Sequence, residues 1–441
     1  MVNQDKNPLF TVIIPVKDRA EYLHHTLRTC SLQDYENLEI IVSDDGSTDR
    51  TREVVEEAAR KDSRIRYVSP STYAGMRDNF EFALNQVKPG YVIALGGDDG
   101  LLPYGISGMR DVLQETGQEM LAWPAPVFSY ANAKTEAGQL MLNRERGGRI
   151  IQSKDFLEKQ AKNLNYLSDL ESPMFYVKGV TSTRLVEKVR SRSVDRRFYS
   201  CPTPDGYSGI VLAGEISSYA FSGKPFSIYG VSPTSQGMGY LASGDKATKQ
   251  SEAFFRDTSR TPMHAELAAQ PYSPLISLMT ADYLLTARDL PGWPGNFPPI
   301  DYRDLLLKSL DELAHGLYAE SRLARELTIL NQIAEQHGQG EFFRKRVSQT
   351  RRYLKKEPFE GNGISPRMIF LDCNHYGIKN IFDAAYVAHY MHQIIPKVTL
   401  SSIWGMLTNS LAYRLISLRK GGRFPPDSAW PDVKPAQPPV S

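Results

Sequence analysis

The stretch YVIALGGDDGLL, residues 91–102, sets the fold of this chain and marks its chemistry. Tyr91 to Leu95 are apolar or aromatic and spell a buried strand, which runs straight into Gly96, Gly97 and two adjacent carboxylates, Asp98 and Asp99. Carboxylates side by side repel each other, and a divalent cation that bridges them to a phosphate relieves that repulsion. Asp and Gly also suit a solvated turn, so the stretch by itself leaves a metal site and a turn both open.

Upstream, strands and helices alternate. Residues 9–16 form a nearly continuous apolar run, as in a strand buried on both faces, with Pro15 at its carboxyl end. A helix is predicted from about Glu21, with Leu23, Leu27 and Cys30 on one face. The next strand, 38–43, ends in Asp44, Asp45 and Gly46; Ser47 or Asp49 is placed to cap a helix whose inner face carries Val54, Val55, Ala58 and Ala59. Residues 65–68 make a third strand, and a third helix carries Phe80, Ala83, Leu84 and Val87 before Pro89 and Gly90 stop it.

This βαβαβαβ order predicts an α/β fold, a mostly parallel sheet with helices on both faces and ligands beyond the carboxyl ends of the strands. Asp18, Asp44, Asp45, Asp98 and Asp99 all follow strand ends, so the fold gathers them at one edge. No GxGxxG and no GxxxxGK[ST] follows the first strand, which removes the main support for a dinucleotide or P-loop site.

Composition narrows the classes. With 52 basic and 50 acidic residues in 441, the net charge of +2 gives no global field for nucleic acid, and none is expected as a partner. Cys30, Cys201 and Cys373 are far apart with no CxxC spacing, as in reduced thiols of a cytoplasmic protein. No apolar run reaches about 18 residues, so neither a signal peptide nor a membrane span is expected.

The strings VIIPVKDRAEYL (12–23), EIIVSDDGSTDRT (39–51) and IALGGDDGLL (93–102) resemble, in order and spacing, the nucleotide-binding half of inverting glycosyltransferases of family 2 with the GT-A fold. The resemblance covers about residues 8–110. It implies that Asp45 hydrogen-bonds the uracil of a UDP-sugar and that the Asp98-Asp99 pair fills the place of the metal motif. Asp99 is then the direct ligand of Mn²⁺ or Mg²⁺, and Asp98 is shared between donor sugar and metal. Pro15, Lys17, Asp18, Asp44 and Arg77 complete the nucleotide-sugar set. Several members have an aromatic ring stacking on the base where this chain has Lys17, which leaves the identity of the base open.

Downstream, Asp205 in CPTPDGYSGIVLAGEI resembles the catalytic base that takes the acceptor proton, although the usual Glu-Asp pair is absent and Pro204 precedes it. A helix N-cap would explain the same setting, and Asp195 and Glu215 are the other carboxylates considered. His264 is a candidate third metal ligand contributed from after the core, as some relatives have, with a structural histidine as the other reading. The loop 224–240 offers hydroxyls, amides and rings suited to reading a sugar.

The expected layout is a GT-A domain over 1–244, divided into a nucleotide-sugar half (8–110) and an acceptor half (111–244). A separate helical domain (245–422) and a Pro-rich disordered tail (423–441) follow. Family members that build bacterial surface polysaccharides use saccharide or lipid-linked acceptors. Two features suit peripheral contact with the inner face of the membrane: seven basic residues among the thirteen from Arg344 to Lys356, which a solvated helical face, or contact with nucleic acid or an acidic partner, would also explain, and a stretch over 402–423 with Trp404, Leu407, Leu411, Leu415 and Leu418 near one helical face. The second of these equally suits a homodimer contact. His375, His389 and His392 lack the companions of a metal site and are taken as structural. Another nucleotide-sugar enzyme, such as a nucleotidyltransferase, and a catalytically silent sugar-binding scaffold are the alternative classes.

Overall fold

The structure is a computed structural model that describes residues 7–131, 138–144, 147–235, 254–258, 260–315, 318, 320–353, 361–365, 367–394 and 420–423. Its first part alternates β1 (Phe10–Val16), α1 (Ala20–Ser31), β2 (Leu38–Asp44), α2 (Thr51–Lys61), β3 (Ile65–Val68), α3 (Met76–Leu84) and β4 (Tyr91–Ala94). Then come β5 (Gly100–Leu101), α4 (Gly105–Thr116), β6 (Met120–Ala122), β7 (Val127–Ser129), β8 (Gln139–Asn143) and β9 (Arg149–Gln152). α5 (Ser153–Asn163), β10 (Gly179–Ser182), α6 (Thr183–Arg192), α7 (Asp205–Ala213), β11 (Ser218–Phe221) and β12 (Ser227–Val231) follow.

Eight of these strands form the main sheet in the order β3-β2-β1-β4-β10-β6-β11-β9. The four expected strands are mutually parallel, and β10 enters antiparallel between β4 and β6. All seven residues of β1 are buried, because helices cover both faces of the sheet. Pro15, which has no amide hydrogen, falls past the last β1–β4 pair, Ile13 with Ala94, where no donor is needed on that side. Alternation along the strands divides the core: Val12, Ile14, Ile40, Val42 and Ile93 pack under α1, α2 and α4, while Ile13, Ile41, Val92 and Ala94 pack under α3 and the later helices.

Helix starts are set by shared acids. Asp49, an expected cap, precedes the N-cap Arg50; its Oδ1 accepts from the Thr51 amide and its Oδ2 from the Ala20 amide, both at 2.9 Å, so one carboxylate pins the starts of α2 and α1.

Between residues 270 and 350 the described α-helices are α8 (Ile276–Arg288), α9 (Tyr302–His315), α10 (Glu320–Gln336) and α11 (Gly340–Gln349). α8 lies against α7 and α5, and its buried side chains join the same cluster as those of the sheet. Nearly every side chain of α8 is buried, as in a helix enclosed on all sides. The basic stretch is not one helix. α11 ends at Gln349, Thr350 turns extended, and β13 (Arg351–Tyr353) pairs with β16 (Lys420–Arg423). Two more strands, β14 (Gly363–Ile364) and β15 (Met368–Asp372), extend a second sheet ordered β14-β15-β8-β7-β12-β5, and α12 (Ile381–Ile394) packs on α1 and β5. Residues 402–419 and the tail 424–441 lie outside the described residues. Among the described residues, no helix is long and apolar enough to cross a membrane.

Candidate active site

The acids after β1, β2 and β4 stand at one edge of the main sheet, but they do different things. Asp44 is spent inside the scaffold: its Oδ1 accepts from the amide and hydroxyl of Ser47 at 2.9 and 2.5 Å, and its Oδ2 from the Tyr67 hydroxyl at 2.9 Å. Asp18, with φ at +51°, accepts from the Thr48 amide at 2.6 Å and ties the β1 turn to the β2 turn. Pro15 is buried opposite Ser43 and shapes the strand end without a polar group.

Asp45 holds the loop before α3. Its two carboxylate oxygens accept from the amides of Ala74 and Gly75 at 2.7 and 2.9 Å. Burial raises its proton affinity, and the two amides and Lys17 oppose that rise. Lys17 donates to the carbonyls of Asp45 and Gly46, and its ammonium lies 5.0 Å from the centroid of the Tyr73 ring. An aromatic ring therefore stands beside Lys17 after all, contributed by the loop after β3. The Tyr73 hydroxyl donates to Asp257, and Arg77 pairs with Asp78 at 2.8 Å and donates to Thr261 at 2.7 Å. A cavity of about 40 Å³ remains between these two segments.

The Asp98-Asp99 pair sits in a tight turn after β4. Asp99 is 1% exposed; its Oδ2 accepts from the Gly96 amide at 2.6 Å, its Oδ1 from the Gly230 amide at 2.8 Å, and the Tyr176 hydroxyl bonds the same carboxylate. Burial, and then the charge of Asp98, push the Asp99 carboxyl well above the usual carboxylate range. A Cβ on Gly96 would come within 2.8 Å of the Tyr176 hydroxyl and 2.9 Å of Asp99 Oδ2, so only glycine lets the three approach. Asp98 Oδ2 accepts from the hydroxyls of Ser232 and Ser235 at 2.7 and 2.6 Å, whereas Oδ1 accepts no hydrogen bond among the described residues.

Asp205 begins α7 with Pro204 as the N-cap residue, and α7 has no side-chain cap. Its carboxylate is thus not consumed as a cap. Burial pushes it up to about 6. The charge of Asp205 bears on the phenols of Tyr176 and Tyr229, and so does that of Asp99. These two half-buried rings lie 6.1 Å apart, and the Tyr176 hydroxyl bonds Asp99. Of the other carboxylates considered, Asp195 is exposed and bonded by Ser193, and Glu215 is buried in a two-pronged ion pair with Arg192 at 2.5 and 3.0 Å.

His264 has both ring nitrogens engaged. Nδ1 accepts from the Glu266 amide at 3.1 Å and caps a 3₁₀ turn over Ala265–Leu267, and Nε2 lies 2.8 Å from Asp289. Among the described residues, no three His, Cys, Asp or Glu side chains group as a metal cage. Asp98 and Asp99 nonetheless suit a hard cation: carboxylate oxygens match Mg²⁺ or Mn²⁺, which keep further positions for water and phosphate oxygens. Asp98 Oδ1 is the oxygen open to such an ion.

Tyr73, Tyr176 and Tyr229 carry no sequence signal of their own. Tyr176 reaches the turn through a bridge between its backbone and Ala94. Ser232 and Ser235 fall in the polar loop 224–240, whose hydroxyls were the visible clue; its last residues, 236–240, lie outside the described ones.

A parallel-edged sheet of this strand order, with an acidic turn after β4 and a second carboxylate at the start of α7, is the GT-A class of transferase fold. Residues 11–172 match the family model described as glycosyl transferase family 2. A GalNAc(5)-diNAcBac-PP-undecaprenol beta-1,3-glucosyltransferase of Campylobacter jejuni is 35% identical over 157 residues, 34% of this chain and 48% of that protein. An uncharacterized glycosyltransferase of Haemophilus influenzae is 33% identical over 92 residues, 21% of this chain and 37% of its own length. The chain thus spans half or less of these relatives. Among solved structures, S. aureus TarS 1-349 in complex with UDP-GlcNAc is similar at 14% identity, covering 78% of this chain and 93% of that one with a TM-score of 0.41. Glucosyl-3-phosphoglycerate synthase of Mycobacterium tuberculosis, in complex with Mn²⁺, UDP and glucosyl-3-phosphoglycerate, is similar at 15% identity over 51% of this chain and 71% of that one, with a TM-score of 0.30.

Proposed function

We propose that the protein is an inverting glycosyltransferase that moves a sugar from a UDP-sugar to a hydroxyl of a saccharide or lipid-linked saccharide. One observation carries this reading: Asp45 and the Asp98-Asp99 turn stand at one edge of the main sheet, after β2 and β4, within the residues 11–172 that match the glycosyl transferase family 2 model. The donor lies across the strand ends, with its base toward Asp45 and its diphosphate toward Asp98 and Asp99. Asp98 and Asp99 would hold a divalent cation, which when bound would neutralise charge on the leaving diphosphate.

Asp205 acts as general base. It takes the proton of the acceptor hydroxyl while that oxygen bonds the anomeric carbon from the face opposite the diphosphate, whose bond to the sugar breaks and takes the electron pair. A carboxyl held near 6 is ionised at neutral pH and remains a better proton acceptor than an ordinary aspartate. The lipid-linked option draws support from the undecaprenol-linked substrate in the name of the C. jejuni relative. The test is transfer or slow hydrolysis across a panel of UDP-sugars with Mn²⁺, in the full chain and in Asp205→Asn. UDP binding with no turnover is expected for the variant, and unimpaired turnover would remove Asp205 from the role.

A further inference from the structure

Three cations stand at the nucleotide edge of the sheet, and two have carboxylate partners. Lys17 lies 3.9 Å from Asp18, and Arg77 is paired with Asp78 at 2.8 Å. Arg19 is different. Its Nη1 donates to the Asp18 carbonyl at 3.2 Å and its Nη2 to the Thr234 carbonyl at 2.6 Å, and among the described residues no carboxylate forms an ion pair with it. A half-buried guanidinium that has five aspartates on the same edge, yet donates only to carbonyl oxygens, keeps several of its five donors for something else.

Its position says what that is. Arg19 follows β1, which lies between β2 and β4 in the sheet, so it stands between Asp45 on one side and Asp98-Asp99 on the other. The Cβ and Cγ of Arg19 pack on Gly97, where an added Cβ would come within 3.0 and 3.1 Å of them, so the stem of the arginine is wedged against the acidic turn. Neighbouring strands are about 4.8 Å apart, so the step from the β2 end to the β4 end is about 10 Å, comparable to the reach from a nucleobase to its diphosphate. The middle of that span carries the doubly charged linkage, and a planar guanidinium fork is the group best matched to phosphate oxygens.

We infer that Arg19 binds the diphosphate of the nucleotide donor and of the departing nucleoside diphosphate, as a second source of positive charge independent of any metal. This rests on the nucleotide-sugar reading above. The guanidinium offers two donors to one phosphate, and the bond to Thr234 fixes its approach.

Equilibrium binding of UDP and of uridine to the full chain, both in EDTA, tests the inference. The wild-type protein should prefer UDP over uridine by about ten- to a hundredfold, the worth of a charge-assisted phosphate contact. Arg19→Gln, which can still donate to the Thr234 carbonyl but carries no charge, should lose that preference while binding uridine as before. Arg19→Lys should keep most of it. Retention of the full UDP preference by Arg19→Gln would overturn the inference and leave the nucleotide-sugar reading standing. If the wild-type protein binds neither compound in EDTA nor UDP with Mn²⁺, the nucleotide-sugar reading fails and Arg19 loses its role with it.

Discussion

The amide of Gly230 donates to Oδ1 of Asp99 at 2.8 Å and so joins the end of β12 to the acidic turn after β4. The two residues are 131 positions apart, and the second sheet brings them together through the pairing of β12 with β5. The approach leaves no room for a side chain, because a Cβ on Gly230 would collide with the Asp98 carbonyl. Gly230→Ala should therefore lower the unfolding free energy by about 2–4 kcal/mol in urea titrations, since backbone rather than a flexible side chain must yield. It should also abolish stabilisation by UDP with Mn²⁺.

Asp205 ties activity to pH in a definite direction. Its carboxyl is raised to about 6, and the base works only when ionised, so kcat/KM should rise through about pH 6 and level off above it. The effect on stability has the opposite sign. A carboxyl whose folded pKa lies above the unfolded value favours the fold at low pH, and that benefit is lost as pH rises from about 4 through 6. Asp205→Asn should match the wild type in stability near pH 4 and exceed it by about 1–2 kcal/mol at pH 7.5, with part of the shift discounted for the side chain's open edge. Equal stability at both pH values would contradict a half-buried carboxylate with a raised pKa.

Tyr176→Phe removes one hydrogen bond from Asp99 and leaves the two amide bonds and the ring in place. Turnover should fall about tenfold, the order expected for one hydrogen bond to a charged group, with UDP binding in EDTA unchanged. Wild-type turnover would show that the hydroxyl does not help set the acid.

His264→Ala should cost about 1 kcal/mol through loss of the cap on the Ala265–Leu267 turn. The Mn²⁺ concentration giving half-maximal activity should not move. A large rise in that concentration would instead make His264 a ligand that changes partners on metal binding.

The first hundred residues were legible because a parallel strand buried on both faces is written as an apolar run, and each acid follows such a run. The β1–α3 elements lie within a few residues of where periodicity puts them. The sequence could not divide the work among adjacent acids. Asp44 and Asp45 look alike on paper, yet one is sealed by Ser47 and Tyr67 while the other holds the loop at Ala74 and Gly75. Tyr176, Ser232 and Gly230 meet the acidic turn only through long-range strand pairing, which leaves no local pattern. α8 reads as a helix of a separate module, but its companions α5 and α7 are more than sixty residues away in the chain, and periodicity does not say what a helix packs against.

The most direct measurement is release of UDP from a panel of UDP-sugars by the full chain, with Mn²⁺ and with EDTA, beside Asp99→Asn. Hydrolysis of at least one UDP-sugar is expected with Mn²⁺, falling at least a hundredfold in EDTA and in the variant. Absence of UDP release from every sugar, together with no thermal stabilisation by UDP in the presence of Mn²⁺, would contradict the assignment.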